Sequence, residues 1–152
     1  MKKMLILCLG FIMSCTSTPS QKSSATNKNA EILVSESYGG GNEANFVIIK
    51  NEQELQKAIK GNTAVIDLDK APVYPQFPKD KKVILYNLGS FTSGDHKITK
   101  IKNISVKDNV LYVEVPQYQS GGMEISVMSN PWFIFTVPSE YQFTSVQLKY
   151  SN

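Results

Sequence analysis

From Ile32 to Tyr150 the chain is a succession of short apolar runs, rich in β-branched and aromatic residues and cut by turn residues. Such runs are too short for helices and are built to lie on pleated surfaces. Ile32 and Val34 mark a first strand, and Phe46-Val47-Ile48-Ile49 is a continuous run of the kind buried on both faces. Ala64-Val65-Ile66 follows, then Val83 to Leu88, a second fully apolar run suited to a central strand. Ile98 to Val106 and Val110 to Val115 read as a hairpin about Asp108-Asn109. Ile98, Ile104 and Val106 share a parity that Ile101 breaks, and a bulge near Thr99 would reconcile them. Met123, Ile125 and Val127 alternate again, and Trp132 to Val137 and Phe143 to Tyr150 are the last two strands. Tyr38-Gly39-Gly40-Gly41-Asn42 reads as a flexible break, and Pro72, Pro75 and Pro78 impose an irregular extended stretch.

Only one segment has helical spacing. Asn51 is placed to cap it, Glu54 stands three residues on, and Leu55, Ala58 and Ile59 share one face. Gly61 is the expected stop, so the helix is predicted over residues 52–60. The fold class is therefore α+β, mostly β: an antiparallel curved sheet or β-sandwich of about eight strands with one short helix.

The first residues are of another kind. Met1-Lys2-Lys3-Met4 precedes an apolar run from Leu5 to Met13, then Ser14 and Cys15. A basic start and a short apolar stretch describe a secretory signal, and the run falls short of the roughly 20 residues of a spanning helix. Ile12-Met13-Ser14-Cys15 resembles a bacterial lipobox, which implies cleavage after residue 14 and a lipid on Cys15. Residues 15–30 then read as a lipidated cysteine and a polar tether, and residues 31–152 as a single domain. The expected location is the bacterial cell envelope, at the periplasmic face of an outer membrane.

Composition narrows the chemistry. All sixteen basic residues are lysine, against thirteen acidic ones, and loss of Lys2 and Lys3 leaves the charge near neutral. A chain of that charge without arginine has no electrostatic footprint for nucleic acid. With Cys8 removed and Cys15 acylated, the domain has no thiol and one imidazole, His96, so neither a structural zinc site nor a cofactor is expected. Asp67 and Asp69 share a strand face but lack the loop of a calcium site, and any Ser-His-Asp triad would have to pass through His96. The domain is expected to be non-catalytic. Aromatic residues are the remaining resource, and Trp132, beside Pro131 and just after a turn, is the one expected to be exposed.

Several of these patterns occur together in one family. A Phe46-Val47-Ile48-Ile49 strand precedes an acidic-capped helix, a strand ends at Leu88-Gly89 before Thr92-Ser93-Gly94, a hairpin follows, and Asn130-Pro131 opens the strand Trp132-Phe133-Ile134-Phe135-Thr136-Val137-Pro138. This resembles the C-terminal domain of PrcB-like protease-complex subunits, over residues 46–138. Where that family has Thr-Gly-Gly-aromatic, this chain has Thr92-Ser93-Gly94-Asp95. The resemblance implies a protein-binding domain that associates with an extracytoplasmic protease. Thr92-Ser93-Gly94, Ser120-Gly121-Gly122 and Asn130-Pro131-Trp132 also resemble, in their order, the loops of chagasin-like cysteine-protease inhibitors. The expected contact surface is Thr92, Ser93, Gly94 and Asp95 with Gly121 and Gly122, and Trp132 as anchor. The alternative is a β-sandwich that binds carbohydrate or another small ligand.

Overall fold

The computed structural model describes residues 30–63, 74–119 and 127–152. The expected strands at Ala64–Ile66 and Met123–Ile125, the Asp67/Asp69 pair, the leader with Cys15, and Gly121 and Gly122 lie outside the described residues. Seven strands and one helix are described, in the order β1 (Glu31–Glu36), β2 (Asn45–Ile49), α1 (Glu52–Asn62), β3 (Lys81–Asn87), β4 (Asn103–Lys107), β5 (Val110–Pro116), β6 (Trp132–Pro138) and β7 (Ser145–Ser151). They form a four-stranded sheet, β1-β6-β3-β2, and a three-stranded sheet, β4-β5-β7. The chain is α+β, mostly β, and the two sheets do not close into a barrel.

The layering follows from side-chain parity. Phe133, Phe135 and Val137 of β6 and Ile84 of β3 pack with Leu111, Val113, Val115 and Val146 of the smaller sheet. Trp132 and Ile134 of β6 and Val83 and Leu85 of β3 pack on the other side, with Leu55 and Ile59 of α1. The order of layers is thus helix, four-stranded sheet, three-stranded sheet. The outer face of the smaller sheet is polar and carries Lys149, whose Nζ lies 3.8 Å from the centre of the Tyr112 ring.

Five details differ from the sequence reading. Phe46-Val47-Ile48-Ile49 is not buried on both faces: β2 is the last strand in its described sheet, and Val47 and Ile48 are exposed. Ile32 and Val34 do not share a face: the register of β1 against β6 shifts between them, which puts Ile32 against one core and Leu33 and Val34 against the other. No bulge at Thr99 is needed, because the strand begins only at Asn103 and the preceding Ile98 and Ile101 are buried from irregular backbone. The helix runs past Gly61 to Asn62 and ends at Thr63, whose N–H and hydroxyl both donate to the Ile59 carbonyl. The strands are not all antiparallel, because β7 lies parallel to β5. Between them the chain crosses to the larger sheet as β6, so it returns in the same direction.

Other local readings hold. Asn51 Oδ1 accepts from the Glu54 N–H at 2.9 Å, and the Glu54 carboxylate accepts from the Lys50 N–H at 2.9 Å. Asp108 and Asn109 take φ of 52° and 61°, the paired positive values of a tight hairpin. The Asn109 carbonyl then accepts from the Thr144 N–H at 2.8 Å, which fixes the start of β7.

Two glycines of opposite kind test this account. A Cβ on Gly61 would meet nothing within 4 Å, and the residue is helical, so Gly61→Ala is expected to stabilise the fold by about 0.5 kcal/mol. A Cβ on Gly40 would lie 2.7 Å from the Asn130 carbonyl oxygen, so Gly40→Ala is expected to cost about 1–3 kcal/mol. Thermal unfolding of the two variants should move in opposite directions.

Candidate functional site

The candidate site is built at the end of the sandwich where β3 leaves the larger sheet. Gly89, with φ of 92°, turns the chain, and Phe91 pairs with Ser129 through two backbone hydrogen bonds of 2.9 Å. That pair ties the 91–95 turn to the 127–130 segment. The turn then folds over Tyr118. The His96 ring stacks on Phe91 with centroids 3.8 Å apart, and Tyr118 packs against it at a tilt with centroids 4.4 Å apart. The His96 Nε2–H donates to the Ser93 carbonyl at 3.0 Å. Gly94, with φ of 77°, passes so close to the tyrosine that a Cβ would lie 2.3 Å from its hydroxyl oxygen. Asp95 Oδ1 accepts from Ser37 Oγ at 2.8 Å and from the Lys97 N–H at 3.0 Å, and Lys97 Nζ pairs with Glu36 at 3.7 Å.

Thr92, Ser93, Gly94 and Asp95 are therefore held as one turn, next to Tyr118 and Gln119 and next to the 127–129 segment. Of the Gln119–Gly122 turn only Gln119 is described, and it lies near Asp95 of the other turn. A cavity of about 210 Å³ opens between them, lined by Asp95, His96, Gln117, Tyr118, Gln119 and Tyr150 among others.

Trp132 is not part of this surface. It is 0% exposed and faces the helix-side core, and its indole N–H donates to the Tyr38 carbonyl at 2.9 Å. The expectation of an exposed anchor is corrected by this burial. The Gly-rich break is also corrected, because it forms a packed cover. Gly40 N–H donates to the Asn130 carbonyl at 2.9 Å, Gly41 N–H to Asn87 Oδ1 at 3.2 Å, and Ser90 N–H to the Asn42 carbonyl at 3.2 Å. Asn130 Nδ2 reaches Asn42 Oδ1 at 3.1 Å and Ser90 Oγ at 2.8 Å. This amide network seals the end of the sheet above Trp132.

The exposed apolar residues beside the turn are Val127 and Met128, at 42% and 67% exposure. The alternation of Met123, Ile125 and Val127 predicts a strand at Val127, whereas neither Val127 nor its neighbour Met128 lies in a described strand. The position of Met128 after a Gly-containing turn and before Asn130-Pro131 was the available signal. His96 presents Nε2 as a donor to a backbone carbonyl, and no serine lines the cavity among the described residues. No group of three His, Cys, Asp or Glu side chains among the described residues could hold a metal ion.

Burial pushes the Tyr86 hydroxyl above its ordinary pKa, and Tyr150 is pushed up by burial and further by Tyr86. No protein-family model, curated protein or solved structure matches the chain.

Both features of the site can be tested by stability. The unfolded chain ionises its tyrosines near the ordinary value of 10.0, before Tyr86 and Tyr150 ionise in the fold. Their contribution is thus complete below that pH and is lost as pH rises above it. Denaturant titrations should show Tyr86→Phe losing less stability than the parent in the alkaline range. Gly94→Ala should cost about 1–2 kcal/mol through its left-handed backbone, and it should weaken the ring contacts at His96, read from aromatic ring-current shifts.

Proposed function

We propose that the chain is a lipid-anchored lipoprotein of the bacterial envelope, held at the periplasmic face of the outer membrane through Cys15. In this reading its β-rich domain is non-catalytic, binds another protein, and associates with an extracytoplasmic protease. The anchoring rests on the Ile12-Met13-Ser14-Cys15 sequence and the polar stretch after it. The protease association rests on the resemblance to PrcB-like subunits alone.

The observation that carries the binding role is the rim beside the 91–95 turn. Val127 and Met128 stand exposed on a segment whose next residue, Ser129, is fixed by two backbone hydrogen bonds to Phe91. Adjacent apolar side chains on a held segment can bury against a partner with little further ordering of the chain. Met128 replaces Trp132 as the proposed anchor.

Crosslinking in intact cells followed by mass spectrometry should return a stoichiometric protein partner. Met128→Asp should reduce its recovery at least about tenfold, because a carboxylate buried without a partner is costly, while the melting temperature stays unchanged. Equal recovery with Met128→Asp would remove this surface from the interface. Trp132→Ala is unsuited to this purpose, since emptying that core position costs about 3–5 kcal/mol. Cys15→Ala should abolish incorporation of labelled fatty acid and release the chain from membranes, and membrane retention of that variant would refute the anchor.

A further inference from the structure

We propose that the cavity between the 95–99 segment and the 116–119 segment binds one neutral sugar ring. This goes beyond the protein-binding reading and rests on the cavity, not on the Val127–Met128 rim. At about 210 Å³ the space falls below the roughly 300–1,000 Å³ of pockets for drug-sized ligands and suits a single small ring. Its lining combines the half-exposed ring of Tyr150, beside the packed rings of His96 and Tyr118, with the polar residues Asp95, Gln117 and Gln119. An exposed aromatic ring such as Tyr150 accepts the C–H side of a pyranose, while a carboxylate and amides exchange hydrogen bonds with its hydroxyls.

Charge selects against other ligand classes. The one lysine among the described lining residues, Lys97, has its Nζ 3.7 Å from the Glu36 carboxylate, so among the described residues the cavity holds no lysine without an acidic partner to attract a phosphate or carboxylate. A purely apolar ligand would strip water from Asp95, Gln117 and Gln119 without replacing its hydrogen bonds. A ligand with many hydroxyls replaces them. The site is also set in advance of binding. Asp95 is oriented by Ser37 Oγ and the Lys97 N–H, Tyr118 packs on the stacked His96, and the Gln117 N–H is tied to the Ser151 carbonyl at 3.0 Å.

The test is a two-dimensional amide NMR titration of the full chain with D-glucose, D-galactose, D-mannose and N-acetyl-D-glucosamine, each to about 50 mM, with sodium phosphate as the anionic comparison. At least one sugar should give saturable shifts centred on the amides of residues 95–99 and 116–119, and phosphate should give none there. Asp95→Asn and Gln117→Ala should each weaken that binding about tenfold or more, equivalent to about 1.4 kcal/mol. Met128→Asp should leave it unchanged, which separates this site from the proposed protein interface. Absence of saturable shifts with all four sugars would overturn the proposal. So would equal shifts with phosphate, or unchanged affinity in both cavity variants.

Discussion

Strand β6 is buried on both faces, and the rest of the molecule is arranged to make that possible. Trp132, Phe133, Ile134, Phe135 and Val137 are all fully buried, and each such side chain contributes about 1.5–3 kcal/mol relative to exposure. A strand apolar on both sides needs a layer over each. The smaller sheet covers Phe133, Phe135 and Val137, and α1 covers Trp132 and Ile134. Its two edges are satisfied by β1 and β3, so its backbone is paired along its length.

The same demand shapes the loops. Trp132 lies at the end of β6, where the sheet would otherwise open to water. The 38–42 segment closes that end through backbone and asparagine hydrogen bonds, which is why a run of three glycines is ordered here. Gly40 is needed for close approach to Asn130, since any side chain would displace a backbone carbonyl. On the other side of β6, the 91–97 turn wraps Tyr118 and pairs with Ser129. The Val127–Met128 rim and the cavity beside Tyr118 therefore share one support, the Phe91–His96–Tyr118 stack, although different ligands are proposed for them.

Much of the architecture was legible because it depends on local chemistry. The cap at Asn51, the Asp108-Asn109 hairpin and the alternating face of β5 are set by residues within a few positions of one another. Less of the site was legible. The 92–95 turn stood out through Gly94 and Asp95, but their partners Tyr118 and Ser37 lie far away in sequence. Trp132 was misplaced for a related reason. Proximity to a proline and a turn suggests exposure, yet the covering segment comes from residues more than ninety positions earlier.

Taken alone, the sequence determined the class of most elements: the runs at Val83–Leu88, Val110–Val115 and Trp132–Val137 supply strands β3, β5 and β6, and the one capped amphipathic segment is a helix. It did not determine which strands would pair. The parallel β5–β7 pair, the face switch between Ile32 and Val34 in β1, and the burial of Trp132 depend on how the two sheets stack. Those features arise from contacts between segments remote in the chain, and periodicity carries no information about them. Only the packed tertiary structure, in which β6 claims a cover for each face, could decide them.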